Sequence, residues 1–156
     1  MTGEFGLAVH ALVYLSRMQD TVCSEMLAKS VCTNPARVRK VMARLKTAGL
    51  ITAKEGPDGG YTMRLRPEDI TLDMVLDALE MRLIDPVLRS GDTDLQCVIA
   101  SGMAKVMDTL VDDLNQGCRE RLRALSIQDI DAQIPPMPKK AQITPEEFFV
   151  PLACVK

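Results

Sequence analysis

The sequence predicts a mainly α chain that carries one small β-hairpin, and three observations predict it. Apolar residues recur at spacings of three and four over residues 2–18, 24–31, 35–48 and 71–79, and as a narrower stripe over 95–125. Two short runs, 50–54 and 61–65, alternate apolar and polar residues and are joined by Glu55-Gly56-Pro57-Asp58-Gly59-Gly60. Ten Met, many Leu and Val, and no Trp suit helix-on-helix packing without large aromatic anchors. Helix, turn, helix, hairpin is the order of a winged helix-turn-helix, here with a long helix behind it.

Residues 2–18 form the first helix, with Leu7 or Ala8, Ala11, Leu12, Leu15 and Met18 on one face. Gln19-Asp20-Thr21 interrupts the pattern, and Ser24 is positioned to cap a short second helix. After the turn at Cys32-Thr33-Asn34, Asn34 caps the third helix and Pro35 takes its first position, where a missing N–H costs nothing. Val38, Val41, Met42 and Leu45 give that helix one buried stripe, and Gly49 suits a left-handed cap at its end.

The opposite face of the third helix is centred on Ala36, Lys40, Ala43 and Thr47 and flanked by Arg37, Arg39 and Arg44. Small residues there let a helix approach base edges, while long cations reach phosphates and guanine acceptors. Between residues 26 and 54 every charge is positive: Lys29, Arg37, Arg39, Lys40, Arg44, Lys46 and Lys54. The whole chain carries a net charge of −2, so the basic residues are segregated and a polyanion is their natural partner. The expected duplex-DNA contacts are Asn34, Ala36, Arg37 and Lys40 at base edges, with Arg39, Arg44, Lys46 and Lys54 at phosphates. Asp58, Gly59 and Gly60 supply the positive-φ turn of a wing tip against the backbone or minor groove. A nucleotide cradle is the competing reading of that loop, but the following Lys-Ser/Thr of a P-loop is absent.

Thr71 caps a fourth helix bearing Leu72, Val75, Leu76 and Leu79, and residues 82–94 read as a connection with Asp85-Pro86 and Ser90-Gly91. Over 95–125 a narrow stripe of Met103, Met107, Leu110, Leu114, Cys118, Leu122 and Leu125 suits helix-to-helix association. A symmetric dimer through this seam would present two recognition helices to successive major grooves; packing of the helix on its own domain is the alternative. The organisation is therefore a DNA-binding domain over 1–80, a connection over 81–94, a dimerisation helix and short turn over 95–131, and a Pro-rich tail over 132–156. Phe148, Phe149, Val150 and Leu152 make the end of that tail sticky.

No run approaches the roughly 18 apolar residues of a membrane span. The charged N-terminal segment does not resemble a signal peptide, and five cysteines, an odd number, fit a reducing cytoplasm. No Ser-His-acid, paired-carboxylate or metal-ligating constellation is visible, so an enzyme is not expected. His10, the single histidine, reads as structural, since a metal needs several convergent donors.

The pairs of runs Glu4-Phe5-Gly6-Leu7-Ala8 with His10-Ala11-Leu12-Val13-Tyr14-Leu15, and Val41 to Ile51 with Gly56-Pro57-Asp58-Gly59-Gly60-Tyr61 and Asp69-Ile70-Thr71-Leu72, carry a resemblance. Over residues 1–131 the chain resembles the BadM/Rrf family of bacterial transcription regulators, which includes the iron–sulfur cluster regulator and the nitric-oxide-sensing repressor. The resemblance implies a winged helix-turn-helix with a long dimerisation helix. Cluster-binding members hold three cysteines in the loop before that helix as thiolate ligands. Here the region offers only Cys97, with Cys118 some twenty residues on and Cys23 and Cys32 in the DNA-binding half. The chain looks like a clusterless member, with no cofactor expected.

The resulting expectation is a homodimeric, sequence-specific DNA-binding regulator, a repressor, answering a redox or small-molecule signal. Cys97, at the junction of loop and long helix, is the candidate redox sensor; a buried, inert thiol is its other reading. An effector between the wing domain and the long helix is equally compatible. Two alternatives stay open: a cluster-dependent regulator with ligands shared across the dimer, and a winged-helix module that binds protein instead of DNA. A protein-binding face would carry apolar anchors where this one carries Lys and Arg.

Overall fold

The computed structural model describes residues 3–18, 20–56, 58–84 and 96–136. Expectations placed on residues 1–2, on most of the connection over 82–94 and on the tail beyond 136 lie outside the described residues. The elements run α1 (Glu4–Arg17), α2 (Ser24–Ser30), α3 (Pro35–Thr47), β1 (Ile51–Lys54), β2 (Gly60–Met63), α4 (Leu72–Ala78), α5 (Val98–Arg123) and α6 (Ile127–Asp131).

One core holds the first half together. Leu12 and Leu15 of α1, Leu27 of α2, Val38, Met42 and Leu45 of α3, Ile51, Ile70 and Leu79 are each 2 % exposed or less. The helical residues among these are ones that the apolar spacings single out, because burying one apolar stripe per helix is what drives the helices together; Ile51 comes from the hairpin and Ile70 from the segment before α4. The cap expected at Ser24 does not form. Cys23 holds the cap position without a side-chain bond, and Ser24 is the first helical residue. Its hydroxyl is engaged elsewhere, donating to the Glu25 carboxylate at 3.1 Å and accepting from Arg39 Nε at 3.1 Å. At α3 and α4 the caps are as expected: Asn34 Oδ1 accepts from the Arg37 amide at 2.8 Å and Thr71 Oγ1 from the Met74 amide at 3.3 Å.

The hairpin is antiparallel, with Ile51 opposite Met63 and Ala53 opposite Tyr61. It is shorter than its alternation suggests, since Leu50 and Leu65 fall outside the ladder. Val22 pairs with Tyr61 through two backbone bonds, at 3.0 and 2.9 Å, and so covers the free edge of β2.

The chain beyond α5 returns to this core. Ile127 is fully buried, its amide donates to the Ile70 carbonyl at 2.9 Å, and the Leu72 amide donates to the Leu125 carbonyl at 2.9 Å. Ser126 and Asp129 form a reciprocal capping box at the start of α6. The long helix is anchored to α4 by charge. Asp73, 5 % exposed, meets Arg119 Nε at 2.9 Å and Arg123 Nε at 2.7 Å, and Arg119 also pairs with Asp77. Higher up, Asn115 donates to the Ile84 carbonyl at 2.9 Å and accepts from its amide at 3.0 Å, tying α5 to the strand of chain leaving α4.

Candidate nucleic-acid interface

The α2–α3 corner is tight because Cys32 takes a left-handed conformation, φ +55°, which lets the Thr33 amide reach back to the Ala28 carbonyl at 2.9 Å. That turn sets α3 across α2 and leaves one side of α3 outside the core. Ala36, Arg37, Arg39, Lys40, Ala43, Lys46 and Thr47 are exposed there, while Arg44 is half-buried. Asn34, also exposed, lies at the head of the same face.

The cations of this face fall into two groups. Arg39 donates to Glu25 of α2 at 2.9 Å, and both Lys40 and Arg44 reach Glu4 of α1 at 3.2 Å. The Glu25 carboxyl is held below its ordinary range, first by a bond from its own backbone amide and then by Arg39 and Ser24. Arg37, Lys46 and Lys54 have no carboxylate partner among the described residues. The sequence could not divide them this way, because Glu4 and Glu25 lie outside the acid-free span and meet α3 only through the fold.

The hairpin stands beside α3, and a groove of about 460 Å³ between them is lined by Glu25, Arg39, Ala43, Lys46, Lys54 and Gly60. Asp58 is exposed near the tip, whereas Gly59 and Gly60 are half-buried. The two glycines serve the loop for different reasons than a simple positive-φ turn. Positive φ occurs at Gly56 and Gly60, not at Gly59. A Cβ on Gly59 would lie 2.7 Å from the Gly56 carbonyl oxygen, and one on Gly60 would fall 2.6 Å from the Val22 carbonyl carbon. Close backbone approach is what excludes a side chain at both.

On α5 the expected seam divides. Met103, Leu110 and Leu114 are 43–45 % exposed, and Met107 and Cys118 are half-buried. Leu122 and Leu125 instead pack on the core of their own subunit, because the Asp73 ion pairs draw that end of α5 against α4. Two residues absent from the expected seam join its open part, Ile99 and Val106, 77 and 62 % exposed, while Val98, 84 % exposed, stands about 100° round the helix from Ile99. Ile99, Met103, Val106 and Leu110 follow one another at four, three and four residues, a signal present in the sequence. Ala104, Val111 and Asn115 form the buried side of the helix.

Cys97 is exposed at the N-cap of α5, which removes the reading of it as a buried thiol. Its carbonyl accepts from the amide and the hydroxyl of Ser101. His10 Nε2 lies 2.9 Å from Ser30 Oγ, and burial lowers its pKa. Two grooves stand apart from α3. One of about 300 Å³ lies between α4 and α5 beside Arg82 and Asn115, and an apolar one of about 550 Å³ runs along α1 past Phe5, Val9 and Ile130.

A family model described as Rrf2, iron-dependent transcriptional regulator, matches residues 1–133. The HTH-type transcriptional regulator YwgB of Bacillus subtilis is 30 % identical over 125 residues, covering 79 % of this chain and 78 % of its own. YwnA of the same organism, also an HTH-type transcriptional regulator, is 25 % identical over 130 residues, covering 83 % and 96 %. A transcriptional regulator from Lactobacillus plantarum has a similar structure, with a TM-score of 0.74 at 25 % identity, covering 85 % of this chain and 90 % of that one. A bound iron or iron–sulfur cluster needs several donors converging on one point. Among the described residues no three His, Cys, Asp or Glu side chains converge on a metal-sized space. Cys97 and Cys118 stand about 30 Å apart along α5 at 1.5 Å per residue, so one cluster cannot take both from a single chain.

Proposed function

The chain belongs to the Rrf2 family of transcriptional regulators, and on that premise we propose that it is a homodimeric, cytoplasmic repressor that reads a specific DNA operator. The observation that carries this reading is the exposed, acid-free face of α3, flanked by a hairpin wing with Lys54 at the turn end of its first strand. A protein-binding helix would show apolar anchors on that face; this one offers Ala36, Ala43 and Thr47 between cations. Arg37 and Lys46, free of carboxylates among the described residues, take the first contacts. Asn34, Ala36 and Lys40 complete the side toward base edges, and Arg39, Arg44 and Lys54 reach phosphates, with Asp58, Gly59 and Gly60 setting the wing.

The open stripe of α5 supports the dimer. Six large apolar side chains from Val98 to Leu114 are exposed on one 26-residue helix, an arrangement a lone soluble chain rarely maintains. Two subunits joined there would present two α3 helices about one turn of DNA apart. The signal is redox or a small molecule. Cys97 is accessible at the head of the dimer helix, and the groove between α4 and α5 lies where an effector would shift one against the other. Among the described residues, the donors of one chain do not fit an iron–sulfur cluster.

Selection of bound sequences from a random duplex pool, with and without peroxide, tests the reading. A recovered palindromic motif supports a dimeric DNA reader, and a motif bound more weakly after peroxide, with Cys97→Ser insensitive, supports the thiol switch. Recovery of no motif, with no duplex binding at low salt, overturns the DNA reading.

A further inference from the structure

We propose that Glu4 is an electrostatic clamp on the recognition helix, holding Lys40 and Arg44 back from duplex DNA whatever its sequence. The inference rests on the DNA-binding reading above. Lys40 and Arg44 are four residues apart on α3, so their side chains stack on one edge of that helix. Glu4, in the first turn of α1, meets both: one carboxylate oxygen lies 3.2 Å from Lys40 Nζ and the other 3.2 Å from Arg44 Nη1.

The pairing is asymmetric in exposure. The Glu4 side chain is 15 % exposed and Arg44 34 %, while Lys40 is 68 % exposed. The carboxylate is thus held in place by packing and by the N-terminal end of the α1 dipole, while the cations can swing away from it. A base-edge acceptor at Lys40 or a phosphate at Arg44 must compete with Glu4 before it gains the cation. That competition weakens the contacts of these two cations on any duplex. Base-edge contacts made by Arg37, which Glu4 does not reach, are left intact. The result is a lower affinity for duplex DNA of any sequence, with discrimination between sequences left to base-edge contacts such as that of Arg37.

The experiment measures binding of the full chain to a random-sequence duplex across a salt series, for wild type, Glu4→Gln, Lys40→Ala/Arg44→Ala, and the triple variant. Gln keeps the size and removes the charge, and a thermal melt confirms that each variant is folded. Freeing two cations should tighten random-duplex binding by about three- to tenfold and steepen the salt slope by about one to two. In the Lys40→Ala/Arg44→Ala background Glu4→Gln should change neither quantity by more than a small fraction. Equal gains in both backgrounds would mean general repulsion of DNA by a carboxylate and overturn the clamp. Weaker binding by Glu4→Gln, or none of these changes where wild type binds, overturns it as well. A wild-type chain that binds no duplex removes the DNA reading itself, a result distinct from any of these.

Discussion

Asp73 is where the long helix is fastened to the DNA-binding half, and removing its charge should loosen that joint measurably. Its side chain is 7 % exposed and meets two guanidiniums, Arg119 at 2.9 Å and Arg123 at 2.7 Å. Three contributions vanish in Asp73→Ala. As an acidic residue in the first turn of α4 it gains roughly 0.3–1 kcal/mol from the helix dipole. The pair with Arg123, 54 % exposed, is worth roughly 0–1 kcal/mol because water solvates the freed cation. The pair with Arg119, 29 % exposed, is better shielded, and its loss costs about 1–2 kcal/mol, short of the full penalty for a buried pair. Together Asp73→Ala should cost about 1–4 kcal/mol in urea unfolding at fixed protein concentration. The partners should rank unequally. Arg119→Ala strips Asp73 Oδ1 of its nearest cation and should cost about 1–2 kcal/mol, whereas Arg123→Ala should cost less than about 1 kcal/mol. An Asp73→Ala cost below about 1 kcal/mol, or Arg123→Ala equal to it, would refute the assignment of Asp73 as the buried hub.

Other outcomes follow from the same geometry. Arg37→Ala should weaken operator binding by about 1–3 kcal/mol and blur sequence preference if Arg37 reads a base; equal loss on all duplexes in a gel-shift series would make it a phosphate contact. Gly60→Ala should destabilise by about 1–3 kcal/mol, since its methyl would meet the Val22 carbonyl and part the edge that covers β2; an unchanged melting curve would show that this edge yields easily. Leu110→Arg should give monomers in sedimentation with little loss of fold, whereas Leu122→Ala should cost about 2–4 kcal/mol of stability. Dimers that survive Leu110→Arg would place the interface elsewhere.

How much was legible in the sequence depends on the range of the signal. The core stripes of α1, α3 and α4 were legible because burial on one helix face is a local periodicity, and the caps at Asn34 and Thr71 because capping needs only a neighbouring amide. Ser24 misled because its hydroxyl is taken by Arg39, fifteen residues away, and local capping rules see no such competitor. The α3 face was visible as a run of positive charge. Its division into clamped and free cations was not, since Glu4 lies 36 and 40 residues from the cations it meets. The α5 seam erred for a related reason. Its apolar spacing is continuous from Met103 to Leu125, and only the charges on α4 decide where it turns from an open face to a packed one.

That turning point has a consequence for how a signal could reach DNA. Residues 119 to 125 fasten α5 to the reading domain through Asp73, the Leu125 carbonyl and Ile127, while Val98 to Leu114 leave an apolar face open. One helix is therefore rigidly joined to α4 at one end and free to pair with a second copy along the other. Between the two lies Asn115, whose side chain bonds both ways with the Ile84 backbone and so fixes the height at which the connection leaves α4. In the proposed dimer, a perturbation at the Cys97 end would alter the spacing of two α3 helices by tilting α5 as a lever about this fastened base, because the helix itself transmits displacement without yielding. Loosening the base should then uncouple the ends: Asp73→Ala should keep dimers intact in sedimentation while it lowers operator affinity more than random-duplex affinity. Equal loss on both DNAs would place the effect in the α3 face itself and end the lever argument.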